Sequence, residues 1–269
     1  MRLSITPGTN NVGAYINNID LKNLNETLSL EIKKTLNQFG VIFIKKQNLD
    51  PDAYQSFAKN IGQPVVYPRL KGLNEKFPYI NVIERKPDDR NLSFGSSWLH
   101  QDTSYLSNDR PRYTMLMGIE IPQGQGNTIF SSGFNAYEKL PEEIKDKIKN
   151  ATGIFSSAGP IAVTRLEREK EMGIKSSESM EAEHPIVKTV DGKKTLYVSP
   201  GHLIKIKNVK DSEAETLRNY LINHVNKDEF IFSYEWSKGD ICLWDNLSIL
   251  HMASEIKNCR RVMYRITIK

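Results

Sequence analysis

Apolar positions along the first third of the chain recur with helical spacing. Leu28, Ile32, Leu36 and Phe39 share one face, and Gly40 follows where a helix closes on a left-handed cap. The run VIFI behind it is short and wholly apolar, which predicts a buried strand. In LDPDAYQSFAKNIG, Asp50 has the side chain of an N-cap and Pro51 suits the first helical position. Tyr54, Phe57, Ala58 and Ile61 then form one face before Gly62 stops the helix. From RYTMLMGIEI onward short β-type runs take over: NTIFSS, HPIVKTV, KTLYVS, FIFSYEW, DICLWD and RVMYRITI. VDGKKT, between two of these runs, carries a hairpin signal. Two helical patterns interrupt the strands, one after Pro141 and one with Leu217, Leu221, His224 and Val225 on a face. Segments 68–97 and 154–183 lack clean periodicity and are rich in charge, Ser and Gly, so they are expected to be long loops or lids over a site. Many short strands with helices added at one end predict a mostly β fold of sandwich or barrel type, with a double-sheet jelly roll (double-stranded β-helix, cupin-like) as the candidate core.

Composition narrows the function classes. At 269 residues, 39% hydrophobic and 26% charged, the chain is expected to form one elaborated domain over 1–269. The net charge of +5 comes from scattered Lys and Arg with no basic block, so nucleic acid is not the expected partner, while an anionic small molecule is compatible with it. Cys242 and Cys259 are the only cysteines and form no CxxC, which excludes a disulfide framework or thiolate zinc site and fits a reducing cytoplasm. No run approaches the ~20 apolar residues of a membrane span, and the N-terminus has no signal-like h-region. A homo-oligomer is compatible with all of this.

The chemistry begins at WLHQDTSY. On a strand, His100 and Asp102 would face the same way and direct an imidazole and a carboxylate at one point. A third ligand must come from afar, and LWDNLSILHMA offers His251 at the end of an apolar run. Two His and one carboxylate form the facial set of non-haem Fe(II) oxygenases, which leaves the opposite coordination positions open. A chance His-X-Asp on a half-buried strand is the alternative. Of the other histidines, His184 before a proline and His224 on a helix face look structural, and His202 sits in a loop with no evident partner. In RRVMYRITIK, Val262, Tyr264, Ile266 and Ile268 alternate with Arg261, Met263, Arg265 and Thr267. If the second face points inward, its arginines need anions; if it points to solvent, they need nothing.

These segments, in this order, resemble the TauD/TfdA family of Fe(II)- and 2-oxoglutarate-dependent dioxygenases. FGVIFIKKQNLDPDAYQSFAKNIGQPVVYP is similar to its N-terminal region, WLHQDTSY to its first metal motif and GQGNTIFSSGFNAYEKLP to its cosubstrate segment; HPIVKTVDGKKTLYVS and GDICLWDNLSILHMA followed by CRRVMYRITI complete the likeness. The resemblance implies that His100, Asp102 and His251 ligate Fe(II), and that Thr128 and Arg261 hold the distal carboxylate of 2-oxoglutarate. Arg265 would lie near the other carboxylate and the acidic head of the primary substrate, with Tyr67, Ser96 and Thr103 on the substrate side. It also implies O2 as co-reactant and release of succinate and CO2.

Departures from the family pattern bear on the substrate. Members that oxidise taurine carry a sulfonate-binding His where this chain has Pro64, a substrate-side Asn where it has Ser96, and an Arg after WDN where it has Leu247. Tyr67 is retained. The expectation is therefore a small acid other than taurine, with hydroxylation as the outcome because Asp102 fills the position a halogenating relative leaves open. Desaturation of an amino-acid-derived substrate is the alternative outcome. A cupin-like binding protein without chemistry would lack a ligand or the carboxylate-binding arginines, and a zinc hydrolase would leave Arg261 and Thr128 unexplained.

Overall fold

The computed structural model describes residues 3–67, 70–89, 95–108, 110–163, 166 and 178–269. Helix α1 (Glu26–Phe39) begins at Asn25, whose side chain accepts the Leu28 N–H, and ends at Gly40 with φ of 75°. That positive φ favours glycine, and a Cβ there would stand 2.7 Å from Ile249. Helix α2 (Pro51–Ile61) is capped by Asp50 and carries Pro51 at its start, as its sequence predicts.

In the order β1-β2-β3-β14-β6-β16-β4, with β5 also on β16, an eight-stranded sheet holds β1 (Ser4–Pro7), β2 (Ala14–Asn17), β3 (Val41–Ile44), β4 (Pro64–Val65), β5 (Asn81–Arg85), β6 (Tyr113–Glu120), β14 (Ile241–Asp245) and β16 (Arg261–Ile268). The period-two alternation of its strands decides what each face touches. Ile42, Ile44, Met115, Met117, Leu243, Ile266 and Ile268 pack on Ile32 and Leu36 of α1 and Tyr54 and Phe57 of α2. Val41, Phe43, Leu116, Trp244 and Met263 point the other way, against Phe130, Ile249 and Tyr234 of a second sheet, ordered β13-β7-β15 and built from β7 (Thr128–Ser132), β13 (Ile231–Tyr234) and β15 (Ile249–Ala253). These facing sheets, antiparallel but for the β2–β3 pair, are the jelly-roll core, and Arg261 and Arg265 share the Met263 face between them.

A third apolar cluster lies around Phe155 and Leu203 and under Leu217 and Leu221 of the C-terminal helix α5 (Asp211–Val225). It includes β8 (Thr152–Ser156), β12 (Leu203–Lys207) and helices α3 (Gly133–Glu138) and α4 (Glu142–Ile148). The run HPIVKTV divides: β9 (Glu181–Pro185) pairs with β8, whereas β10 (Val187–Val190) turns back on β11 (Lys193–Leu196). Asp191 and Gly192, both at positive φ, make the tight turn expected of VDGKKT.

The segments expected to be lids are partly ordered sheet. β5 lies within 68–97 and pairs with the β16 strand that carries the arginines, and 154–183 begins in β8 and ends in β9. Charge obscured the pattern of β5, because its last two positions are the exposed Glu84 and the half-buried Arg85. Residues 68, 69, 90–94, 164, 165 and 167–177 of those segments lie outside the described residues. Among the described residues, no helix is long and apolar enough to cross a membrane.

Candidate active site

His251 lies on β15, and its partner across an antiparallel bridge is His100. The His100 N–H donates to the His251 carbonyl at 3.0 Å and the His251 N–H returns the bond at 2.9 Å. This backbone exchange sets the imidazoles side by side, with ring centroids 4.4 Å apart. Asp102 arrives differently from the strand geometry expected of it: residues 102–105 form a turn. Thr103, at φ of 54°, takes the chain out of the extended path, a strained conformation for a β-branched residue. The carboxylate still reaches the same point, with Oδ1 3.9 Å from His100 Nε2 and 3.8 Å from His251 Nε2. One ligand atom from each residue lies within 4.8 Å of the others, a spacing that fits a facial set around one divalent cation.

Hydrogen bonds decide how these ligands are presented. His100 Nδ1 faces the Trp98 carbonyl at 3.0 Å and can only donate to it, which leaves the Nε2 lone pair for a metal. Asp102 Oδ2 accepts from Thr114 Oγ1 at 2.7 Å and from Arg265 Nη2 at 2.9 Å, so Oδ1 is the oxygen turned to the centre. Thr114 is itself held by Asn246 Nδ2 at 2.9 Å, and Asn246 Oδ1 takes the Trp244 indole N–H at 3.0 Å. Burial alone would push Asp102 up, but Arg265, the two histidines and the Thr114 hydroxyl outweigh it and hold the carboxyl well below the usual carboxylate range. Burial pushes both imidazoles down, and the proximity of His100 helps bring His251 to about 3. One carboxylate and two neutral imidazoles form a donor set that takes a cation without first shedding protons.

Beside this centre, β16 places Arg261 between the sheets. Arg261 is 6% exposed, and its Nε and Nη2 have no hydrogen-bond partner. Burial pushes the guanidinium down to about 10, and no carboxylate among the described residues pairs with it. Thr128 Oγ1 accepts the Trp236 indole N–H at 2.9 Å, so its own proton is available to an acceptor. Gly126, at φ of 74°, lies against Arg261, where a Cβ would stand 2.9 Å from Cδ. A narrow cleft joins the metal triad to Thr128, Arg261 and Arg265. A cation at the triad and a dicarboxylate reaching from it to Arg261 would satisfy the orphaned donors, so the residues present fit both groups.

The residues expected on the substrate side divide. Tyr67 is buried, with its ring 4.6 Å from the Arg265 guanidinium carbon. Arg265 is not a free anchor: Nη2 is committed to Asp102, and Nη1 is the buried nitrogen left without a partner. Thr103 Oγ1 is likewise buried and unpartnered, and Ser96 forms a bridge with Ala253. Sequence reasoning missed Thr114, Asn246, Trp244 and Trp236, which hold the ligands from behind. The inward alternation of Thr114 in β6 and Trp244 in β14 is visible, but nothing local shows which ligand each supports, and Trp236 and Asn246 lie just beyond strand ends. His202 does have partners, Ser104 Oγ at 2.9 Å and Ser199 Oγ at 3.1 Å, and its ring stands 5.9 Å from that of His100. His184 and His224 bond to the carbonyls of Leu106 and Ala136.

A jelly roll that closes two histidines and one carboxylate beside an arginine-lined anion pocket defines a non-haem oxygenase dependent on a 2-oxo acid. The sequence model of the taurine catabolism dioxygenase TauD, TfdA family matches residues 4–267, and the chain belongs to that family. It is an oxidoreductase that uses Fe(II), 2-oxoglutarate and O2. Its relatives include the alkylsulfatase of Acinetobacter baylyi, 29% identical over 99% of this chain and 85% of that one. The alpha-ketoglutarate-dependent sulfate ester dioxygenase of Pseudomonas putida is 27% identical over 100% of this chain and 90% of its own. A taurine dioxygenase from Burkholderia xenovorans shares the fold, with a TM-score of 0.82 at 24% identity over 99% of this chain and 89% of that one.

Proposed function

We propose that this chain hydroxylates a small anionic organic substrate, a sulfate ester or sulfonate with an apolar body, and that taurine is not preferred. The cosubstrate half of this reading rests on Arg261, a buried guanidinium with unpartnered nitrogens beside a complete donor set. His100, Asp102 and His251 would hold Fe(II), and Arg261 with Thr128 would fix the distal carboxylate of 2-oxoglutarate. The bound iron and cosubstrate supply O2 activation coupled to decarboxylation to succinate and CO2. The chain's own work is positional: it fixes the tautomer of His100, keeps Asp102 ionised and excludes water from the arginine pocket.

For the substrate, the Arg265 Nη1 and the Thr103 Oγ1 are buried donors without partners, the arrangement an oxyanion would complete. Pro64, paired with Ile268 in the main sheet, supplies no side-chain donor there. An apolar body finds company in Ile83, Leu116 and Met263, which line the same cleft. The names of the relatives, an alkylsulfatase and a sulfate ester dioxygenase, support the same class. The test is a panel of alkyl sulfates, alkanesulfonates, taurine and aryloxyacetates with Fe(II), 2-oxoglutarate and O2, measuring succinate and oxidised product together. Coupled turnover of the alkyl sulfates or alkanesulfonates above taurine is expected. Preference for taurine, or for a neutral compound, would remove the role given to Arg265.

A further inference from the structure

Away from the metal triad, three basic side chains converge on the buried ring of Tyr197. Lys188 Nζ lies 4.0 Å from its centroid, the Arg110 guanidinium carbon 5.6 Å, and the His184 ring 5.6 Å in an edge-on contact. Arg110 Nη1 is 2.7 Å from His184 Nε2 and 3.0 Å from Nδ1. Nε2 also faces the Leu106 carbonyl at 3.0 Å, and because a guanidinium only donates, one ring nitrogen must accept from Arg110. His184 is thus neutral, in agreement with burial, then Lys188 and Arg110, pushing it down to about 4.

The charges left over are those of Arg110 and Lys188, and among the described residues no carboxylate pairs with either. The contrast with Arg112 is direct, since two residues further on it meets both Asp191 and Asp245. Burial, then the neighbouring Arg110, pushes Lys188 down to about 7. Like charges on an apolar floor, with no counter-charge among the described residues, repel each other and lose solvent, and a bridging anion relieves both costs.

We propose that Arg110 and Lys188, walled by His184 and Tyr197, form a second anion site that binds a small oxyanion. Such a ligand has two or more acceptor oxygens and can bridge the guanidinium fork and the ammonium at once. Its sources are inorganic sulfate or phosphate, or a small dicarboxylate such as the succinate the reaction releases. None of the four residues lines the metal cleft, so occupancy here does not compete with the cosubstrate. The site has a structural consequence as well. Leu106, just past the first metal motif, is held to β9 by its bond with His184, and an anion between Arg110 and Lys188 ties Arg110 to β10.

Trace acetylation of the whole chain near neutral pH, with Lys188 followed by peptide mass spectrometry, tests this without any turnover. Sulfate, phosphate and succinate are each compared with chloride at matched ionic strength. A bound oxyanion restores the charge on Lys188, and each unit of upward pKa shift lowers the reactive neutral fraction about tenfold. Labelling of Lys188 is therefore expected to slow by roughly that factor while the exposed lysines are unchanged. Protection by sulfate and phosphate alone assigns an inorganic ligand; protection by succinate alone assigns the dicarboxylate. Arg110→Gln should abolish the protection and Arg261→Ala should preserve it. Equal labelling in oxyanion and chloride overturns the proposal, and this arm uses only the wild-type chain. Loss of protection in Arg261→Ala would also overturn it, by showing the effect to be that of the cosubstrate pocket.

Discussion

Arg261 carries a buried charge that no carboxylate among the described residues balances. Replacing a buried, uncompensated charge with an apolar side chain of similar size removes its desolvation cost, so Arg261→Met should stabilise the metal-free, cosubstrate-free chain by about 1–4 kcal/mol. The same variant should weaken 2-oxoglutarate binding by about 3 kcal/mol, roughly 150-fold, because the carboxylate would enter a dry pocket without its guanidinium partner. Urea unfolding gives the first quantity, and anaerobic titration of the Fe(II) protein through its charge-transfer absorption gives the second. A variant that is destabilised and still binds 2-oxoglutarate normally would make Arg261 a structural residue. Thr114 acts one step further out, orienting Asp102 through a 2.7 Å bond. Thr114→Val keeps the shape and loses that bond, and metal affinity should fall 10–100-fold, as it does when outer partners of ligands are removed. Competition for the metal against a chelator measures it; unchanged affinity would mean that Arg265 alone holds the carboxylate.

At the scale of elements, legibility followed the strength of the local pattern. β16 is readable because eight residues alternate without interruption, which put Arg261 and Arg265 on the Met263 face before any partner was known. The Asp50 cap of α2 is readable for the same reason, since it acts through a bond three residues long, whereas the Asn25 cap of α1 shows only in the structure. Asp102 clusters with His100 and His251 from a turn and not from a strand, because a single positive φ at Thr103 leaves no trace in the polarity pattern. The Asn246–Thr114–Asp102 relay joins residues 132 and 12 positions apart, and no window of sequence contains it. The hairpin of β10 and β11 carries a pH signature. Lys188 titrates near 7 when folded against 10.5 as its ordinary value, so between these pH values the unfolded chain binds a proton that the folded chain does not. Stability should therefore rise with pH across this window, by at most about 1.4 kcal/mol per unit and less where solvent screens the group. Lys188→Met should lack this contribution, so in urea unfolding at a series of pH values the wild-type chain should gain on the variant from neutral to alkaline pH. Parallel profiles would place Lys188 in solvent.

The whole molecule is a sandwich whose centre is polar and incomplete on its own. Apolar clusters lie on both faces of the main sheet, yet between the sheets sit two imidazoles, a carboxylate and two guanidinium groups, with the His251 Nδ1, two Arg261 nitrogens and one Arg265 nitrogen unpartnered. The ligands that complete this centre bind the folded chain and not the unfolded one, so their affinity appears as stability. At a hundredfold excess over its dissociation constant each ligand adds about 2.7 kcal/mol, on the order of 5 °C in Tm for a chain of this size. The two increments should be ordered. Mn(II), as a redox-inert substitute for Fe(II), should raise Tm alone, whereas 2-oxoglutarate should add its full increment only after the metal, because one end of it is held by the cation and the other by Arg261. A chelator should reverse both together. His251→Ala should lose both increments and Arg261→Met only the second, and this split separates a metal role from a carboxylate role within one experiment. An equal 2-oxoglutarate shift with and without metal would show that the dicarboxylate binds by its arginine alone, and the shared cleft would then not join the two sites.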